Sequence, residues 1–234
     1  MKNKSKKESL KIKKDRASKL LQILKEQYPS VTIQLVHKNP FELLIATILS
    51  AQCTDKRVNI VTADLFQKYQ KPVDYLNVSQ EELELDIFST GFYKAKARNI
   101  RLCCESIINN FSGEVPSNMK DLLSLAGVGR KTANVVLAHS FGIAGIVVDT
   151  HVKRISNRLD LTKETDPVKI EFALIKVIEK DIWVDFTHYL IMLGREICTS
   201  RKAKCEICLL TEYCPSAFKV QPKKKKENIK NIKK

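Results

Sequence analysis

SLAGVGRKTANVVLAHSFGIAGIVVD, residues 124–149, is the stretch from which the rest of the chain can be read. Gly127-Val128-Gly129 interrupts two helical patterns. Met119, Leu122, Leu123 and Leu125 supply an apolar face before it, and Ala133, Val135, Val136, Leu137 and Ala138 supply one after it. Two glycines around one apolar residue permit a tight turn, because glycine accepts positive φ and lets a partner approach the backbone. The second helix then starts near Arg130-Lys131-Thr132, with its first N–H groups pointing outward as a phosphate requires. A plain corner between two helices would use the same G-x-G. The apolar run Ile143 to Val148 follows and ends in Asp149-Thr150-His151.

Outward from this stretch, the chain reads as all-α. The pattern predicts helices over Arg16–Tyr28, closed by Pro29, and over Phe41–Ser50. The second is opened by Asn39 as cap with Pro40 in the first turn, and is almost wholly apolar, as a central buried helix is. A third follows Thr54, with Val58, Val61, Leu65 and Tyr69 on one face. A short one opens at Ser79-x-x-Glu82 and runs to Phe88. Ala95–Asn110 is long and amphipathic. Beyond Asp149, helices are predicted over Thr150–Leu159, from the Thr165-Asp166-Pro167 start through Ile178, and over Asp185–Cys198. Ile143–Val148 comes nearest to a strand and is short. There is no repeat of solenoid length.

Four of the seven cysteines crowd into 17 residues, as Cys198-x6-Cys205-x2-Cys208-x5-Cys214. Thiols in a polar, lysine-bearing loop have no packing role there, whereas soft thiolates bind zinc or an iron–sulfur cluster. Spacing alone leaves both metals open. Cys53, Cys103 and Cys104 lie among apolar, helix-forming residues and read as small core side chains. Disulfides are not expected: no lysine-rich N-terminus followed by an apolar core marks a secretory signal, and a reducing, cytoplasmic setting follows. No window approaches the roughly 20 apolar residues of a membrane span.

The net charge of +15 is carried by the ends. Residues 1–19 and residues 219–234 each balance at +7, which leaves +1 for the body. Lysine-rich ends of this composition are expected to be disordered and either to attract phosphate non-specifically or simply to solubilise. The body must therefore bind nucleic acid, if it does, through its motifs.

Those motifs point to one family. LAGVGRKTAN resembles the helix-hairpin-helix of the DNA-repair glycosylase superfamily, and VDTHVKR resembles its catalytic-aspartate segment. The 6-2-5 cysteine spacing after a helix resembles the [4Fe–4S] loop of the endonuclease III family. The resemblance spans roughly residues 20 to 218. It implies a six-helix barrel over 33–143, a smaller discontinuous cluster domain from 16–32 and 144–218, and basic tails over 1–15 and 219–234. It also implies that Cys198, Cys205, Cys208 and Cys214 hold a [4Fe–4S] cluster of structural role. Lys131 and Asp149 match the family's catalytic lysine and aspartate; read without it, they are a phosphate-binding lysine and a helix cap. A lysine in the first turn of a helix faces the positive end of the dipole, which favours its neutral, nucleophilic form.

For DNA contact the resemblance implies the hairpin Gly127, Val128, Gly129 and Arg130, together with Gln52 to fill the gap left by an extruded nucleotide and Phe92 as an apolar wedge. It adds His151 beside the pocket and Arg201, Lys202 and Lys204 on the cysteine loop. A core phenylalanine, a polar helix start and charges that merely offset a cluster are the plain alternatives for these last groups. Ala126 and His139 depart from the family's commoner proline and asparagine. The implied activity is a bifunctional glycosylase and abasic-site lyase acting on oxidised pyrimidines in duplex DNA, as a monomer. A monofunctional mismatch or other-base glycosylase and a non-catalytic iron–sulfur DNA-binding protein are the rival readings; the lysine and the short chain after Cys214 separate this sequence from the adenine-glycosylase branch.

Overall fold

Most of the helices begin where a side chain can replace a missing intrahelical acceptor. Ser9, Asn39, Thr54, Ser79, Asn118 and Asp166 each accept from the backbone N–H three residues on. The computed structural model describes residues 8–219. It contains α1 (Leu10–Gln27), α2 (Pro40–Leu49), α3 (Asp55–Lys68), α4 (Gln80–Asp86) and α5 (Tyr93–Phe111). It continues with α6 (Met119–Ser124), α7 (Arg130–Phe141), α8 (Thr150–Arg158), α9 (Pro167–Ile175) and α10 (Trp183–Glu196), with short 3-10 turns such as Phe88–Thr90 between them. Among the described residues there is no strand, only an isolated bridge between Cys198 and Ala203.

Several boundaries differ from those predicted. α1 starts six residues before Arg16, because Ser9 caps it, and Arg16 itself is an interior residue that bonds Glu8 and the carbonyls of Leu159 and Tyr213. The basic stretch assigned to residues 1–15 is therefore helical from Leu10, and its residues 1–7, like residues 220–234 of the C-terminal stretch, lie outside the described residues. α9 stops at Ile175 instead of Ile178, and α10 runs from Trp183 to Glu196, two residues earlier at each end than predicted. Cys103 and Cys104 are fully buried core residues, and burial pushes the Cys103 thiol up to about 12. Cys53 lies half-buried in the turn after α2 and packs against the same core.

The chain divides into two compact units. One comprises Ser30–Asp149 and Glu179–His188; it is called here the hairpin unit. The other comprises the chain up to Pro29, Thr150–Ile178 and the chain from Tyr189 on; it is called here the cysteine unit. The segment Glu179–His188, which the sequence reading placed with the cysteines, belongs to the hairpin unit.

The hairpin unit is built around α2. Leu43, Leu44, Ile45, Ala46 and Leu49 have no exposed surface, and α2 packs on α3, α5 and α7. Burying each leucine contributes about 1.5–3 kcal/mol. Pro40 and Asn39 fix where α2 starts, and the Glu42 side chain accepts from Lys38 N–H at 2.6 Å. In the cysteine unit, Leu20, Leu21 and Leu24 of α1 are buried, as are Val152 and Ile155 of α8 and Leu190 and Leu193 of α10. Its tightest approach is at Gly194, where a Cβ would lie 2.5 Å from His151 Nδ1 and 2.8 Å from Arg154 Nη2. A side chain there would have to displace the ends of the His151, Arg154 and Ile155 side chains.

Candidate active site and cysteine centre

Leu125 ends α6, and its carbonyl accepts from Val128 N–H at 3.1 Å, closing the turn. The two hairpin glycines do different work. Gly127 holds φ +77°, and a Cβ there would come within 3.1 Å of the Asn99 Cβ, so both conformation and space demand glycine. Gly129 has φ −93°, and a Cβ would meet nothing within 4 Å. The fold places no demand on it. Val128 between them is buried, so it anchors the hairpin in the core and offers a ligand only its backbone.

Gly129 is the N-cap of α7 and has no side chain to cap it; the first intrahelical bond is Ala133 N–H to Gly129 O at 2.9 Å. Lys131 lies in the first turn of α7 and is exposed, while Arg130 is half-buried. An uncapped helix start, a bare glycine surface and an exposed lysine in the same turn form a surface that can receive an oxyanion.

One turn further along α7, Asn134 is buried and its side-chain N–H donates to Ile146 O at 3.4 Å. Val147 N–H donates to Thr187 Oγ1 at 3.2 Å. Ile143–Val148 lies outside any helix or strand, and these two side chains supply partners for its backbone. It carries Asp149, half-buried, to its end. Lys131 and Asp149 therefore belong to one unit, and Asn134 ties the helix of the first to the segment of the second.

Gln52 and Phe92 share an unexpected feature. Both are exposed, and both hold left-handed backbone, with φ 55° and φ 51°. For a residue with a Cβ that conformation costs about 1–2 kcal/mol. Gln52 sits three residues beyond α2, and Phe92 is the N-cap of α5 with 64 % of its surface exposed. Phe92 is therefore not a core phenylalanine.

In the cysteine unit, Cys198, Cys205, Cys208 and Cys214 line one cavity with about 420 Å³ of empty space, part of it open to solvent. All four are free and half-buried. Burial pushes the Cys208 thiol up, and the other three sulfurs add to this; burial and the sulfurs of Cys198 and Cys205 act likewise on Cys214. Four thiolates so placed repel one another unless a cationic group neutralises them. Among the described residues, no three His, Cys, Asp or Glu side chains converge as ligands of a single metal ion.

Arg158 Nη1 donates to Cys198 Sγ at 3.2 Å and to Thr199 O at 2.8 Å, while Arg154 donates to the carbonyls of Gly194 and Cys198. The loop from Cys198 is closed by the Cys198–Ala203 bridge and by Lys204 N–H on Ile197 O. Arg201, Lys202 and Lys204 are exposed on it. His151 is half-buried, with Nδ1 3.1 Å from Arg154 Nη2, and packs on Gly194. Its ring thus takes part in the α8–α10 junction.

Comparison with known proteins follows the same lines. Residues 45–180 match the model of the HhH-GPD superfamily base excision DNA repair protein. Endonuclease III of Synechocystis sp. is 53% identical over 206 residues, covering 88% of this chain and 94% of that protein. The chain belongs to the endonuclease III family. Two solved endonuclease III–DNA complexes, one non-covalent and one a trapped covalent intermediate with an estranged adenine, are 45% identical, with TM-score 0.85, and each covers 88% of this chain and 97% of its own.

For a member of the endonuclease III family, the hairpin, lysine, aspartate and cysteines were legible in sequence. Asn134, Thr187, Arg154 and Arg158 were not, since each acts on a backbone group or a sulfur distant in sequence. An arginine within an otherwise amphipathic helix gives no sign of what it reaches.

Proposed function

We propose that this chain excises oxidised pyrimidines from duplex DNA and then cuts the strand at the abasic site, with Lys131 as nucleophile and Asp149 as its acid–base partner. The observation that carries this is the exposed Lys131 in the first turn of an uncapped helix, reached through a glycine surface that the fold itself does not require. Family membership and the likeness to a trapped covalent endonuclease III–DNA complex support it.

The hairpin N–H groups and α7 dock a phosphate and so fix the strand. The target nucleotide leaves the stack at a cost of a few kcal/mol, and Gln52 and Phe92 occupy the space it vacates. The neutral Lys131 amine attacks C1′ as the base departs with its bonding electrons. Asp149 stabilises the positive charge that develops on the sugar and assists proton transfer. Ring opening gives an iminium between Lys131 and C1′. Loss of a C2′ proton then expels the 3′ phosphate, and water hydrolyses the imine to free the lysine.

Cys198, Cys205, Cys208 and Cys214 would hold the [4Fe–4S] cluster. Their thiol chemistry and shared cavity fit such a group, and Arg158 faces the first of them. When bound, the cluster supplies a structural tie across a loop with little core of its own. Arg201, Lys202 and Lys204 then present three cations to a DNA backbone. His151 contributes by holding Arg154.

Borohydride trapping on a duplex with thymine glycol, alongside an abasic duplex, tests the reading. An adduct on both, lost in Lys131→Gln, is expected. An adduct on the abasic duplex alone moves the substrate base elsewhere, and none on either removes the lysine mechanism.

A further inference from the structure

Lys96 is 5% exposed, on the first turn of α5, and among the described residues its ammonium meets carbonyls and no carboxylate. Nζ donates to Leu49 O at 2.8 Å and to Thr90 O at 2.9 Å. These carbonyls are not arbitrary. At the end of α2, Ala46 O accepts from Ser50 N–H, Thr47 O from Ser50 Oγ, and Ile48 O from Ala51 N–H at a long 3.4 Å. Leu49 O, the last of the helix, is taken by Lys96. Thr90 O is likewise the last carbonyl of the 3-10 turn Phe88–Thr90. A single cation therefore caps two helical C-termini, where a positive charge is favoured.

Each of those ends leads directly into an exposed residue in left-handed backbone. Gln52 follows Leu49 by three positions, and Phe92 follows Thr90 by two. Among the described residues, these two bonds are the hydrogen bonds that join the two turns. Resting on the proposed role of Gln52 and Phe92, we infer that Lys96 is a positioning residue that clamps their two turns at a fixed separation, so that both side chains enter the same gap in the duplex.

The side-chain type fits this task. Lysine has the reach to span two turns from one helix, and its stem fills buried space. Burial lowers the affinity of Lys96 for its proton, with the Cys53 thiol acting in the opposite sense. The clamp needs only two N–H groups, which the neutral amine also has, so it holds in either protonation state. Methionine at this position would fill the same space and leave two buried carbonyls without their donor.

The test exploits the fact that a single-stranded abasic oligonucleotide has no opposite strand and no gap to fill. Covalent trapping is measured on that oligonucleotide and on the lesion-bearing duplex, for wild type, Lys96→Met and Lys96→Arg. Lys96→Met is expected to lower trapping on the duplex about 10- to 100-fold, the scale of a misplacement near 1 Å, and on the single strand less than about threefold. Lys96→Arg, which can reach both carbonyls, recovers most of the loss. In a Gln52→Ala, Phe92→Ala background, Lys96→Met adds nothing further on the duplex. Equal losses on both substrates, an unchanged duplex rate, or full additivity in that background would each overturn the assignment. If Lys96→Met does not fold, Lys96→Gln, whose amide nitrogen sits one bond nearer the backbone and so falls short of bridging both carbonyls, is read by the same criteria. Failure of the underlying lysine chemistry is distinguishable, because wild type would then trap neither substrate.

Discussion

The hairpin and the cysteine loop both follow a helix, both lie at the surface and both expose cations, yet their order has different origins. The hairpin is set by its own backbone and by packing. Leu122, Leu125 and Val128 are buried, Leu125 O receives Val128 N–H, and Gly127 fits against Asn99. The cysteine loop encloses four sulfurs, with Leu210 as its one fully buried apolar side chain. Ile207, Leu209 and Phe218 around it are exposed, and its closure relies on a few backbone bonds and on Arg154 and Arg158. A region that buries apolar side chains can define a site by itself; one that gathers four thiols depends on the charge that neutralises them.

The largest effect that would sharpen this contrast is expected at the cysteines. If the four cysteines hold the proposed cluster, Cys208→Ser should abolish its brown colour and cost several kcal/mol of stability in chemical denaturation. A variant with wild-type stability would mean that the loop is ordered without its group. At the hairpin the opposite pattern is expected. Lys131→Gln should lower covalent trapping by about three orders of magnitude or more while shifting stability by less than about 0.5 kcal/mol, because the side chain is exposed. A large fall in melting temperature would break the separation between site and scaffold.

Within the hairpin, the two glycines offer a finer comparison. Gly127→Ala must adopt positive φ and press on Asn99, so a loss of about 1–3 kcal/mol is expected on denaturation. Gly129→Ala meets no atom of the chain and should cost less than about 1 kcal/mol. It should nevertheless weaken duplex binding about tenfold, equivalent to about 1.4 kcal/mol. If both substitutions behaved alike, the glycine surface at 129 would not be a docking surface.

The smallest effect concerns His139 on α7. Its Nε2 lies 3.3 Å from His188 Nε2, and burial, with the neighbouring His188, lowers its pKa to about 4. The unfolded chain, with an ordinary value near 6.5, takes up the proton first as pH falls. His139 thus contributes no penalty above pH ~6.5, and stability declines as pH drops from about 6.5 to about 4. Allowing for partial exposure, the loss is about 1–2 kcal/mol. His139→Asn should flatten the profile in that window, measured by urea denaturation at several pH values; an unchanged slope would place the titration elsewhere.

The all-α fold, the buried α2 and its Asn39-Pro40 start, the hairpin and the four-cysteine grouping could all be read from the sequence, because each is a local pattern. The helix periodicity is written in consecutive side chains, and the spacing of thiols is preserved in the loop they occupy. The start of α1 was misplaced because Ser9 sits among lysines that read as a tail, and the assignment of 179–188 failed because unit membership depends on packing partners. Phe92 could be core or wedge in sequence; its left-handed backbone and exposure decide for the surface. Sequence alone thus determined which chemical groups are present and on which local elements they sit, since propensity, capping and turn chemistry act over a few residues. Only the tertiary structure decided that Gly127 serves the fold and Gly129 does not, that Asn134 and Thr187 hold the arm of Asp149, and that Lys96 joins the turns of Gln52 and Phe92. Each of these rests on a contact between residues far apart in the chain, and no local pattern encodes which distant carbonyl a buried donor will meet.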